Sequence, residues 1–77
     1  MEKIPFGERL GECMLLRGDD VQTLSRKTEI RPRALRDFLS GKRLPRGRSL
    51  IKIATALDVR VNYLIGLSDE PFRKTEE

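Results

Sequence analysis

Apolar residues near the start of the chain return every three or four positions, at Phe6, Leu10, Cys13 and Met14. That period is one face of an α-helix, and Arg17 followed by Gly18 closes it as a last-turn cation and a C-terminal glycine. Asp19 and Asp20 then offer a side-chain cap to a short second helix, on which Val21, Leu24, Ser25 and Thr28 share one side. It is expected to end near Thr28. Pro32 pushes Arg31 out of the α region and itself suits a first helical position, so a third helix is expected over about 32–39. Its buried stripe is Leu35, Phe38 and Leu39, and Gly41 stops it. The stretch "GKRLPRGR", with two glycines and a proline, reads as a loop. Leu50, Ile53, Ala54 and Leu57 stripe a fourth helix, with Ile51 on its flank. Val59, Val61, Leu64 and Ile65 suggest a short fifth helix that ends at Gly66. Nothing alternates with a strand period. The pattern predicts an all-α, five-helix domain over residues 1–67, and "SDEPFRKTEE", residues 68–77, as a polar, flexible tail.

Length and composition narrow the chemistry. A chain of 77 residues has room for one domain, and one so short buries only about 60% of its unfolded surface. There is no histidine, and no convergent set of nucleophile, base and oxyanion donors is visible, so an enzyme, a metal site and a cofactor are not expected. The single cysteine, Cys13, lies in the apolar stripe of the first helix and reads as a buried thiol in a reducing compartment. No apolar run approaches the roughly 18 residues of a membrane span, and "MEKIPFGERL" lacks the apolar core of a secretory signal, so a cytoplasmic protein is expected.

Net charge is +4, but its distribution matters more than its sum. Residues 26–52 carry ten basic and two acidic side chains, whereas each flank carries three basic and five acidic ones. Ten cations repel one another, and a surface needing only solubility would mix its signs as the flanks do. The block therefore reads as a polyanion-binding footprint, with nucleic acid the obvious polyanion and an acidic protein partner or a membrane surface still open, although the block does not read as a basic amphipathic helix.

Two short helices joined by a tight turn and followed by a basic loop have the dimensions of a helix-turn-helix. A small residue at Ser25 lets the two helices approach, while Ile30, Leu35 and Phe38 fill the angle between them. With the third helix anchored by Leu35, Phe38 and Leu39, a step of about 100° per residue places Arg33, Arg36 and Asp37 on its outward side.

From about Phe6 to Glu70 the chain resembles the lambda-repressor-like (Xre/Cro) helix-turn-helix regulators. The resemblance is carried by "FGERL" opening the first helix, "RG" closing it, "LSRKTEI" through the turn, "SGKRLP" after the third helix and "LIKIATALDVRVNYLIGLSDEP" as the last two. It implies a compact bundle of five helices, usually a dimer, with the third helix laid in the DNA major groove. Departures from the family pattern carry information too. The glycine usual in the turn is Glu29, at a position where the backbone commonly visits positive φ. Val21 stands where a phosphate-binding glutamine is often found, and Pro32 where relatives often carry a base-reading side chain. Met14 and Leu39 occupy the places of an arginine and a glutamate that pair in many relatives. A partly buried ion pair can be exchanged for apolar packing when both partners change together, so these two are expected to touch. Positions that favour serine at helix starts hold Arg31, Arg46 and Arg60, and each lost cap costs on the order of 1 kcal/mol.

The resulting expectation is a sequence-specific double-stranded DNA-binding protein, a prokaryotic or phage transcriptional repressor on a palindromic operator, acting as a homodimer without a membrane or small-molecule partner. Arg33 and Arg36 are the candidates for base contact, because arginine bonds guanine O6 and N7 in a bidentate fork. Asp37 stands to orient Arg33 or to accept from cytosine. Lys42, Arg43 and Arg46 are candidate phosphate clamps, with Arg31 at an uncapped helix start that a phosphate can satisfy. Surface near the last helix commonly builds the dimer in this family, which points to Tyr63, Ile65 and Leu67. The alternative is a protein-interaction module on the same fold, of antitoxin or antirepressor type, whose basic face meets an acidic partner.

Overall fold

The computed structural model describes residues 6–66, which form five helices: α1 (Phe6–Arg17), α2 (Val21–Thr28), α3 (Pro32–Ser40), α4 (Gly47–Leu57) and α5 (Val61–Leu64). The expected tail, 68–77, lies outside the described residues. α1 packs against α3, α4 and α5, while α2 packs against α3 and α4. The core they enclose is made by the stripes read above: Leu10, Cys13, Leu24, Leu35, Ile53, Leu57 and Leu64 are fully buried. No helix among the described residues is long and apolar enough to cross a membrane.

Each helix end has a local cause. The last turn of α1 closes through Gly18, whose amide donates to the Leu15 carbonyl at 3.2 Å, while the Asp19 amide donates to Met14 at 2.9 Å. Asp20 caps α2: its carboxylate accepts from the Thr23 amide at 2.9 Å, and its own amide donates to the Thr23 hydroxyl at 3.0 Å. The bond from the Thr23 amide, before any other cause, holds the Asp20 carboxyl below the usual carboxylate range. Pro32 opens α3 as its first residue, and Gly41, at φ 88, ends it. Arg31, Arg46 and Arg60 stand at the starts of α3, α4 and α5, and none of them makes a side-chain cap.

Two boundaries differ from the sequence pattern. Gly47 and Arg48, expected in the loop, are the first turn of α4. α5 is shorter than its apolar pattern: Val59 is buried but lies before the helix, and Ile65 is in the turn after it. A buried apolar residue needs only a core to face, not a helix to stand on. Met14 is buried and Leu39 half-buried, and the Leu39 side chain reaches α1 beside Gly11, one turn before Met14.

Tertiary bonds that no local pattern announces lock α1 in place. The Arg17 Nε donates to the Leu57 carbonyl at 2.7 Å, and a terminal nitrogen of the same guanidinium donates to the Asp58 carbonyl at 3.0 Å. Arg17 thus covers the C-terminal carbonyls of α4 with a cation, which complements the helix dipole as well as satisfying orphan acceptors. Further along α1, Arg9 is only 5% exposed and lies over the Tyr63 ring at 4.0 Å, while the Tyr63 hydroxyl donates to Glu12 at 2.8 Å. That hydrogen bond, together with burial, raises the Tyr63 hydroxyl above its ordinary pKa.

Burial also pushes the Cys13 thiol up from 9.0 to about 11, with Glu12 adding to the effect and Arg9 and Arg17 opposing it. A raised folded-state pKa contributes stability that is complete below the unfolded value and is lost as pH rises through the folded one. Thermal stability should therefore decline between pH 9.0 and about 11, by on the order of 2–3 kcal/mol from this group. Cys13→Ala is expected to be less stable at neutral pH, by about 1 kcal/mol, but to show a shallower alkaline decline. Equal alkaline slopes in melting curves of the two proteins would remove Cys13 as the cause.

Candidate nucleic-acid interface

The turn between α2 and α3 is built from hydroxyl groups. Ser25 Oγ donates to the Ile30 carbonyl at 2.6 Å, Thr28 Oγ1 donates to the Leu24 carbonyl at 2.8 Å, and the Ile30 amide donates to Thr28 Oγ1 at 3.2 Å. Ser25 is therefore more than a small spacer, since it satisfies a turn carbonyl that would otherwise face the core edge. Glu29 sits in the left-handed region at φ 62 and ψ 23, where the turn needs positive φ and a Cβ makes that conformation costly. Its amide still closes α2 by donating to Ser25 at 2.8 Å.

This turn presents α3 with one side anchored. Leu35 and Phe38 are buried and Leu39 is half-buried, whereas Arg31, Arg33 and Arg36 are exposed. Asp37 is half-buried, and no ion pair joins it to Arg33 among the described residues. Arg33 and Arg36, three residues apart, share one face of the helix. Both residues are exposed, as the 100° step predicts.

The loop after α3 is fastened to its last turn, where the Gly41 amide donates to the Phe38 carbonyl at 3.4 Å and the Asp37 carbonyl oxygen gathers further donors. The Asp37 oxygen accepts from the Lys42 amide at 3.0 Å, the Arg43 amide at 3.3 Å and the Ser40 hydroxyl at 3.2 Å. The Arg43 guanidinium lies 5.7 Å from the centroid of the Phe38 ring, a contact of cation with aromatic face that holds the loop arginine beside α3. Lys42, Arg43 and Arg46 are all exposed. The structure thus brings Arg43 onto α3 and leaves Lys42 and Arg46 on the same anchored loop. The starts of α3 and α4 carry no side-chain cap, so no capping side chain competes with an anion for their early amides, although Pro32, the first residue of α3, has none to offer. Among the remaining cations of the block, Lys27 is paired with Asp19 at 3.0 Å, while Arg26, Arg48 and Lys52 are exposed.

The three residues expected at a dimer surface fare differently. Tyr63 is not on the surface: it is 7% exposed, clamped between Arg9 and Glu12, because a ring with a hydroxyl at its tip can be buried where that hydroxyl finds an acceptor. Ile65 is 38% exposed, and Leu67 lies outside the described residues. Leu15 and Leu16 on α1 are also exposed, Leu15 at 83%. Leu15 stands off the α1 stripe of Phe6, Leu10, Cys13 and Met14, so its exposure follows from helical spacing. The roles of Arg9, Glu12 and the Ser25 hydroxyl do not, since each acts through a partner on another element or in the turn.

In comparisons with known proteins, a helix-turn-helix family model matches residues 10–64, which takes in α2, the turn, α3 and the loop just described. No curated protein and no solved structure matches the chain.

Proposed function

As this chain belongs to the lambda-repressor-like helix-turn-helix family of DNA-binding regulators, we propose that it is a sequence-specific transcriptional repressor of prokaryotic or phage type, working in the cytoplasm. The observation that carries this reading is the pair Arg33 and Arg36, exposed on α3 while Leu35 and Phe38 pin the opposite side. α3 enters the major groove, the two guanidinium groups read guanine edges, and Asp37 orients Arg33 or accepts from cytosine. Arg31, Lys42, Arg43 and Arg46 bind phosphates and set the register of the helix on the duplex. The operator is palindromic and the protein a homodimer, with Ile65 and Leu67 on the shared face. Tyr63 supports that face from beneath, through its hold on Arg9 and Glu12.

Salt titration tests the electrostatic part. Neutralising about six phosphates releases their counterions, so log K should fall against log salt with a slope of about −5. Between roughly 50 and 200 mM salt that slope amounts to about a thousandfold loss of affinity. Binding to mixed-sequence duplex, followed by fluorescence anisotropy across that range, measures it. A chain that shows no salt-sensitive binding to any duplex is not a DNA-binding protein.

A further inference from the structure

Leu44 is 71% exposed, and a single exposed leucine is ordinary on a protein surface. Its position is what distinguishes it. Lys42 and Arg43 precede it, Arg46 and Arg48 follow it, and all four cations are exposed. Pro45 restricts the Leu44 backbone to extended conformations. The loop is anchored up to the residue before Leu44, since the Lys42 and Arg43 amides both donate to the Asp37 carbonyl and the Arg43 guanidinium lies over the Phe38 ring. A loop whose whole task was charge or solubility would carry a polar residue here. This one holds an isobutyl group out in solvent in the middle of its cations.

A nucleic-acid backbone has the matching alternation, with anionic phosphates separated by the apolar faces of its sugars. From Lys42 to Arg46 the chain spans at most about 14 Å, so cations on either side of Leu44 fall on one short stretch of a single strand. Resting on the DNA-binding reading above, we propose that Leu44 is a DNA-contact residue whose side chain is buried against the deoxyribose between the phosphates that Lys42, Arg43 and Arg46 neutralise. Leu44 then contributes affinity that salt does not screen, while its neighbours contribute the part that salt does.

Leu44→Ser and Leu44→Met test this, each measured for melting temperature and for Kd on one duplex selected from a random pool, over a series of salt concentrations. Leu44→Ser should melt like the parent and bind about five- to tenfold more weakly at every salt concentration, which lowers the line of log K against log salt without changing its slope. Leu44→Met keeps the apolar volume and should stay within about twofold of the parent. Parental affinity in Leu44→Ser overturns the proposal. So does a change confined to self-association in sedimentation without DNA, which would make Leu44 a contact between copies. If the parent protein itself binds no duplex, the DNA-binding reading falls and this assignment falls with it. A parent that binds, with an indifferent Leu44→Ser, removes the leucine alone.

Discussion

With Arg33 and Arg36 both replaced by alanine, the protein is expected to keep its fold and its salt-sensitive grip on mixed-sequence duplex while losing its preference for its own site. Both side chains are exposed and neither pairs with Asp37, so nothing in the core depends on them. Alanine is also at least as good a helix former as arginine, so α3 persists. Each bidentate contact to guanine contributes about 1–3 kcal/mol of discrimination, and two of them amount to roughly thirtyfold to twenty-thousandfold at the preferred sequence. The phosphate contacts proposed for Arg31, Lys42, Arg43 and Arg46 are untouched by these substitutions, so the salt slope should change little. Competition between a selected site and mixed duplex gives the readout. A double variant that retains the parent's discrimination would show that sequence is read elsewhere on the surface.

Gly7→Ala should unfold the protein far more readily, although helix propensity alone favours alanine by up to about 1 kcal/mol. α1 and α3 meet so closely at Gly7 that an added Cβ would fall on the Leu39 carbonyl oxygen and within 3.0 Å of the Leu39 carbon and the Phe38 oxygen. Those atoms are backbone at the end of a packed helix and cannot swing aside as a side chain would. Separating the two helices loosens Leu35, Phe38 and Leu39 together, at a cost of about 2–4 kcal/mol. For a domain of this size that is a fall in melting temperature of roughly 15 °C. Gly11→Ala is the matched control. Its nearest neighbour would be a Leu39 methyl at 3.9 Å, ordinary packing distance, so it should be neutral or slightly stabilising. Melting curves of the two variants that coincide would refute close helix approach as the role of Gly7.

The positions of the five helices were legible because their signals are local. Apolar residues at helical spacing, Asp20 before α2, Pro32 at the start of α3 and Gly41 at its end all act within a turn of their own place in the chain. The resemblance to a known family added what spacing alone does not contain, including positive φ at Glu29 and the absent caps at Arg31, Arg46 and Arg60. Of the candidate site, the exposure of Arg33 and Arg36 followed from helical geometry once the buried stripe of α3 was known. Boundaries were less legible where loop and helix signals compete. Glycine at position 47 reads as a loop residue, yet it opens α4, where its lack of a side chain does little harm in a first turn.

By itself, then, the sequence determined the all-α architecture, the core stripes, the block of positive charge and the outward arginines of α3. Each depends on neighbours within a few residues, where periodicity and backbone preference act directly. Only the tertiary structure decided that Gly7 must lack a side chain, that Arg17 caps α4 from α1, and that Tyr63 is an inner strut between Arg9 and Glu12 rather than a surface ring. It also decided that Arg43 lies on Phe38 while Leu44 stands in solvent. These contacts join elements brought together by packing, and the partner of a long side chain is chosen by which helix lies beside it, not by its neighbours along the chain.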